Sequence, residues 1–248
     1  MKIRLLFFAL IILSSSSFAF VLRDSVHVIR KEVKIENGKT GEDKRELKIV
    51  YPILEGDISP EILKKINKKC NFEKVWGMSV ERMKADFLKA NGNGDDFPDI
   101  DFYVSYNKNN ILAIGFGSLL PGQAYYGDGS SFIINLLTGE ELKITDILSE
   151  DSFNDLVKLI NEQMQQEITD GEKEGSVEKG RFAGTTFSKD ELKSFTISKE
   201  GIYFNYGLRT GQLWNRNVES WGYLMDFGNK ENLKKYIKPN GLLGNVIK

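Results

Sequence analysis

Apolar residues recur along this chain with two different periods, and the switches between them mark out its elements. Val26, Val28, Val33 and Ile35 alternate loosely with polar residues and predict a strand. Leu47, Ile49 and Tyr51 predict a second strand that stops at Pro52, and the turn residues of 37–43 join the two as a hairpin. Ser59-Pro60-Glu61 then opens a helix: serine suits the cap, proline the first helical position, and an acid the positive end of the dipole. Ile62, Leu63, Ile66 and Cys70 line one face of it, where Cys70 reads as a small buried hydrophobe. A second helix over 79–90 directs Val80, Met83, Phe87 and Leu88 inward. After a loop at 91–96, Phe102, Val104 and Tyr106 alternate again. A turn at 107–110 leads into the apolar run 111–116, giving a second hairpin.

A Gly-rich stretch, 121–129, connects to a strand at 131–135 and a Thr-Gly turn at 137–140. Phe153, Leu156, Val157, Ile160 and Met164 then predict a helix over 149–168. Residues 169–181 are charged, lack periodicity and read as a mobile loop. Strands follow at 195–197, 202–206 and 220–227, and a last helix covers 229–237 before Pro239. The order β-β-α-α-β-β-β-α-β-β-β-α, without internal repeat or long linker, predicts an α+β fold. Its sheet is antiparallel, with helices on one face or at its ends.

The first nineteen residues stand apart. Lys2 and Arg4 precede the apolar run 5–13, and small residues at Ser17 and Ala19 occupy the positions read by signal peptidase. Residues 1–19 are thus expected to be a signal peptide and 20–248 a single compact domain that is periplasmic or secreted. The alternative is an uncleaved anchor, for which the run is short against the roughly 20 residues of a membrane span. No later stretch is long and apolar enough to span a membrane. Removing 1–19 leaves 32 basic against 35 acidic residues, a net charge of −3. Such a balance does not point to nucleic acid. A single cysteine leaves no internal disulfide.

Chemistry-bearing patterns are sparse. One histidine, His27, and one cysteine cannot make a catalytic zinc site of the usual nitrogen and sulfur ligands. No nucleophile elbow, P-loop or dinucleotide fingerprint is present, so no cofactor is expected. Ser176 to Lys179 matches S-x-x-K inside the charged loop, a poor place to hold a strained nucleophile. Asp95, Asp96, Asp99 and Asp101 crowd one predicted loop. They are open to two readings, a calcium-binding loop without EF-hand spacing or solvated turn residues. Tyr125, Tyr126 and Asp128 in the Gly-rich stretch, with Trp214 and Arg216 in the stretch before Trp221, are the candidate ligand contacts. Tyr, Trp and Arg dominate binding hot spots. The Gly-rich stretch reads more readily as a strand connection with a bulge than as a binding loop.

Three segments together resemble a known family. They are Val50-Tyr-Pro-Ile-Leu-Glu-Gly56 with Ile66-Asn67 after it; Ser105-Tyr-Asn107 through Ile114 to Leu137-Thr-Gly-Glu-Glu-Leu-Lys-Ile-Thr-Asp-Ile147; and Phe195 with Gly201-Ile-Tyr-Phe-Asn-Tyr206. This is similar to the extracellular domain of lysozyme-sensing anti-sigma factors of the RsiV type. It is also similar to the domain preceding the catalytic domain of peptidoglycan deacetylases of the PdaC type. The resemblance spans roughly residues 45–237. It implies an α+β fold with a curved antiparallel sheet, a cell-envelope location and a protein ligand such as lysozyme. This chain has Gly122-Gln-Ala-Tyr125 where many members carry Gly-Ala-His. It also has 207–214 in place of a Tyr- and Pro-rich stretch, so the ligand itself does not carry over. The expectation is an exported binding module for a protein or peptidoglycan ligand, without enzymatic activity. The alternatives are a carboxylate-dependent envelope hydrolase and a structural protein without specific ligand.

Overall fold

A computed structural model describes residues 25–38, 44–90, 97–119, 130–210 and 219–248. Strands β1 (His27–Glu36) and β2 (Glu46–Glu55) pair antiparallel over ten consecutive positions. The register is unbroken, so Val28 and Val33, five residues apart, point to opposite faces. Val26 and Val28 pack with helix α1 (Pro60–Lys69), whereas Val33 and Ile35 pack with α2 (Phe72–Trp76) and α3 (Val80–Lys89). One edge strand therefore feeds two cores.

Strand β2 runs through Pro52 to Glu55, past the expected stop. Its backbone polarity explains why. Asn37 N–H donates to Arg45 C=O (3.1 Å), one step beyond the last β1–β2 pair, so odd residues of β1 and β2 bond each other. The even residues of β2 then turn away from β1. Lys48 N–H accordingly donates to Asp99 Oδ1 (2.8 Å) and Leu54 N–H to Asn67 Oδ1 (2.9 Å). Pro52 is even, so the N–H it lacks costs the β1–β2 ladder nothing.

Three helices separate β2 from β3 (Asp99–Lys108), and the two strands meet in parallel at Ile49 and Ile100. A crossover of that length returns the chain to the starting end of the sheet, which a hairpin cannot do. Strands β4 (Ile111–Leu119), β5 (Ser131–Asn135) and β6 (Glu140–Glu141) continue antiparallel, giving the order β1-β2-β3-β4-β5-β6. Asn109 and Asn110 close the β3–β4 turn at φ of 52° and 59°, the left-handed pair that a two-residue hairpin requires.

Among the helices, Ser59 sits at the N-cap of α1 but makes no side-chain cap bond, while Ser79 caps α3 by accepting from Arg82 N–H (3.1 Å). Leu88, expected inward, is 47% exposed because it lies a step off the stripe of Val80, Met83 and Phe87. Past β6 come α4 (Ile144–Ile147), a 3-10 turn at Glu150–Ser152, and α5 (Phe153–Glu174). Helix α5 extends beyond the expected 168 because Ile168 and Gly171 continue its buried face. It ends where Gly175 adopts φ +76°. Residues expected to form a mobile loop thus complete this helix and a packed turn, with Val177 buried, Ser176 Oγ donating to Gly171 C=O, and Gly180 N–H bonded to Glu172.

A second sheet, β7 (Phe195–Ile197), β8 (Gly201–Thr210) and β9 (Glu219–Asp226), stands beside α5 and α6 (Lys230–Tyr236). Its largest cluster includes Ile197, Ile202, Phe204, Leu156, Ile160 and Met164, joined by Tyr106, Ile111 and Ala113 of the first sheet. The whole is α+β, one compact body with two sheets. Among the described residues no helix is long and apolar enough to cross a membrane.

Candidate functional site

The five expected contacts, Tyr125, Tyr126, Asp128, Trp214 and Arg216, lie outside the described residues, as do Asp95 and Asp96. What the structure defines is the frame from which the first five spring. The stretch 120–129 is bounded by β4 and β5, whose last pair is Gly115 with Ser131, and Phe116 N–H donates to Ser130 C=O (2.8 Å). The stretch 211–218 is bounded by the last β8–β9 pair, Thr210 with Glu219.

Beside each frame a tyrosine lies across a glycine of the neighbouring strand. Tyr103 of β3 faces Gly115 of β4, and a Cβ on Gly115 would stand 2.4 Å from the Tyr103 ring. Tyr203 of β8, the strand partner of Leu224, leans diagonally over Gly222 of β9, where a Cβ would stand 2.4 Å from both the Tyr203 ring and the Phe204 carbonyl oxygen. A bare glycine lets an aromatic ring settle flat on the sheet. Tyr103 is 50% exposed, and its neighbour Val104, at the bulge in β3, is also exposed. Ser105 Oγ donates to Ile197 C=O (2.7 Å), linking β3 to β7, and Thr196 beside it is the strand partner of Tyr203. Both tyrosines therefore belong to the seam where the two sheets meet.

Sequence reading missed both. The signal lay in the alternation next to Phe102, which puts Tyr103 on the other face, opposite Gly115; past the bulge Tyr106 returns to that same face. Trp221, noted with Trp214, is half-buried and packs on Gly171 of α5, so it belongs to the core.

The acidic residues are employed otherwise than expected. Asp99 and Asp101 are strand residues of β3, not loop residues. Asp99 accepts from Lys48 N–H, and Asp101 accepts from the Arg30 guanidinium and from Phe102 N–H (2.7 Å). Among the described residues no group of three or more His, Cys, Asp or Glu is placed to hold a metal ion. Where a carboxyl departs from its usual pKa, at Glu32, Glu140, Asp190, Glu200 and Glu231, the direction is downward. At Glu140 the first cause is the hydrogen bond from Lys65. Burial pushes the Cys70 thiol up to about 12 against the pull of Lys69. A thiol held so firmly protonated is no nucleophile near neutral pH. A shallow cavity of about 530 Å³ lies between Asn135, Asp146, Lys238 and Gly241. Its charged groups are already engaged, Asp146 with Lys143 N–H and Lys238 with Thr145 C=O.

This architecture recurs in solved structures. The chain has the fold of DUF3298-family proteins. A member from Bacteroides fragilis superposes with a TM-score of 0.51 at 15% identity, covering 90% of this chain and 98% of that one. Another from Pseudomonas aeruginosa superposes with a TM-score of 0.52 at 12% identity, covering 87% of this chain and 95% of that one. No family model matches the sequence. No curated protein matches it. At such identities the likeness concerns the fold, on which unrelated functions are built.

Proposed function

We propose that this protein is an exported module of the cell envelope, periplasmic or secreted, that binds a protein or cell-wall ligand and performs no chemistry on it. The observation that carries this reading is the pair of tyrosines, Tyr103 and Tyr203, held over cross-strand glycines along the seam of the two sheets. Aromatic side chains presented on a rigid floor give large contact area at little entropic cost. The two stretches holding Tyr125, Tyr126, Asp128, Trp214 and Arg216, which follow β4 and β8 in the chain, are further candidate contact regions. A lysozyme-like hydrolase is one candidate ligand. The slight negative charge suits a basic partner. A carboxylate-dependent hydrolase would call for an acid with a raised pKa.

Calorimetry of the purified protein with a c-type lysozyme and, separately, with peptidoglycan tests this. Saturable binding is expected with one of them, weakened about tenfold, or 1.4 kcal/mol, by Tyr103→Ala or Tyr203→Ala. Absence of heat with both ligands refutes the reading. Binding untouched by either substitution, or by Trp214→Ala, moves the site off the seam.

A further inference from the structure

Among the described residues the two sheets have four edges, and three of them are blunted. Strand β1 carries Arg30, Lys31, Glu32 and Lys34, and β6 has only two residues. Strand β7 has three, with the outward C=O of Ile197 taken by Ser105 Oγ. Strand β9 differs. It has eight residues, and between Glu219 and Asp226 its sequence Ser-Trp-Gly-Tyr-Leu-Met holds no charge and no proline. Phe227 N–H donates to Glu200 C=O (2.8 Å), one step beyond the last β8–β9 pair, so the odd residues 223 and 225 bond to β8. Gly222 and Leu224 therefore turn N–H and C=O outward, and Asp226 its N–H. Among the described residues nothing bonds to these groups. Leu224 is 42% exposed beside its strand partner Tyr203, so an apolar floor borders the open edge.

We infer that β9 is a docking edge for an extended strand of a protein partner, with apolar side chains opposite Gly222 and Leu224 and a basic one opposite Asp226. The inference rests on the binding reading above and narrows its ligand to a protein. A row of outward N–H and C=O groups is matched by another backbone, with side-chain pockets at alternate positions setting the choice of partner. Side chains opposite 222, 224 and 226 fall on the face that carries Tyr203. An aromatic one opposite Gly222 meets the Tyr203 ring, and an aliphatic one opposite Leu224 covers it. The charges of β9 are acids alone, Glu219 and Asp226. A second copy would bring no base to answer them, whereas a lysine or arginine opposite Asp226 completes a cross-strand pair. The antiparallel direction is the stronger per residue.

The probe is a capped peptide, Lys-Thr-Val-Thr-Phe, titrated into the isotope-labelled protein and read by amide NMR. The outward N–H groups of Gly222 and Leu224 are expected to shift and to gain protection from exchange. That of Tyr223, already bonded within the sheet, is expected to move less. Leu224→Pro deletes an outward N–H without touching the β8–β9 ladder and is expected to weaken binding about tenfold or more. If Leu224→Pro disturbs folding, Leu224→Lys, which blunts the edge with a charge, replaces it. The same peptide with glutamate in place of lysine is expected to bind about fivefold more weakly. Amides of Gly222 and Leu224 that stay silent up to millimolar peptide overturn the inference. Concentration-dependent self-association that Leu224→Pro abolishes also overturns it, since a second copy would then occupy the edge. Heat from lysozyme or peptidoglycan together with silent amides removes the edge and keeps the binding reading, while silence in both experiments removes both.

Discussion

At the scale of single residues, three asparagines perform one task. Each offers both ends of its side-chain amide to both groups of a distant backbone residue, in place of a strand partner. Asn67 accepts from Leu54 N–H (2.9 Å) and donates to its C=O (2.8 Å). Asn161 does the same to Phe187, at 2.8 Å in both directions. Asn107 closes on Val26, which fixes the chain entering β1. In each case the clamp satisfies backbone groups that no ladder reaches. Aspartate has the same shape but, ionised, lacks the donor and turns an oxygen on the carbonyl. Asn67→Asp and Asn161→Asp are each expected to lower stability by about 1–3 kcal/mol near neutral pH. Urea titration reads this as a lower midpoint with unchanged slope. As pH falls far enough to protonate the new carboxyl, the donor returns and the gap to the native protein narrows. A gap that does not change with pH would assign the loss to something other than the missing donor.

At the scale of elements, helix α5 decides the second half of the molecule, and it contains a glycine where propensity disfavours one. Alanine normally gains up to about 1 kcal/mol over glycine inside a helix. Here a Cβ on Gly171 would stand 2.8 Å from both Trp221 Cη2 and Val177 Cγ2. Gly171→Ala is therefore expected to destabilise by about 1–3 kcal/mol, an overpacking cost that exceeds the propensity gain. In a Trp221→Leu background the same change is expected to cost less, and thermal melts of the four proteins give the coupling. Additivity would mean that α5 and β9 do not press on each other at this point. The same contact shows why the sequence read this region only in part. Periodicity exposed the stripe from Phe153 to Met164, but the turn through Gly171 looked like charged loop because what it packs against, Val177 and Trp221, is set by tertiary structure. The β1–β2 hairpin, α1, α3 and β7 were legible because their patterns are local. Pro52 misled, since whether a proline ends a strand depends on which way its nitrogen faces, and that is a property of the pairing. Tyr103 and Tyr203 escaped notice because their role comes from cross-strand glycines: Gly115 twelve residues after Tyr103, Gly222 nineteen after Tyr203.

At the scale of the molecule, the two sheets share one strand's side chains. Along β4, Ile111 and Ala113 enter the cluster built on α5 and the second sheet, while Leu112, Ile114 and Phe116 enter the cluster under α1. The continuous apolar run 111–116 is what a strand buried on both faces requires. The C-terminal part also ties back to the middle of the chain: Ser149 N–H donates to Tyr236 C=O (2.8 Å) and Lys238 N–H to Ile147 C=O (2.9 Å). Removing either half would strip one face of β4, so the halves are expected to unfold together. Tryptophans can report on each. Trp76 packs with the clusters on α1 and α3, and Trp221 with the cluster on α5. One variant keeps Trp76 alone (Trp214→Phe, Trp221→Phe) and another keeps Trp221 alone (Trp76→Phe, Trp214→Phe). Within each, the fluorescence midpoint in urea is expected to coincide with that of far-ultraviolet circular dichroism, whatever stability the substitutions cost. Fluorescence that moves ahead of or behind the dichroism in either variant would mean that the sheets are separate folding units. In that case β4 would hold its second face without the partner that now buries it.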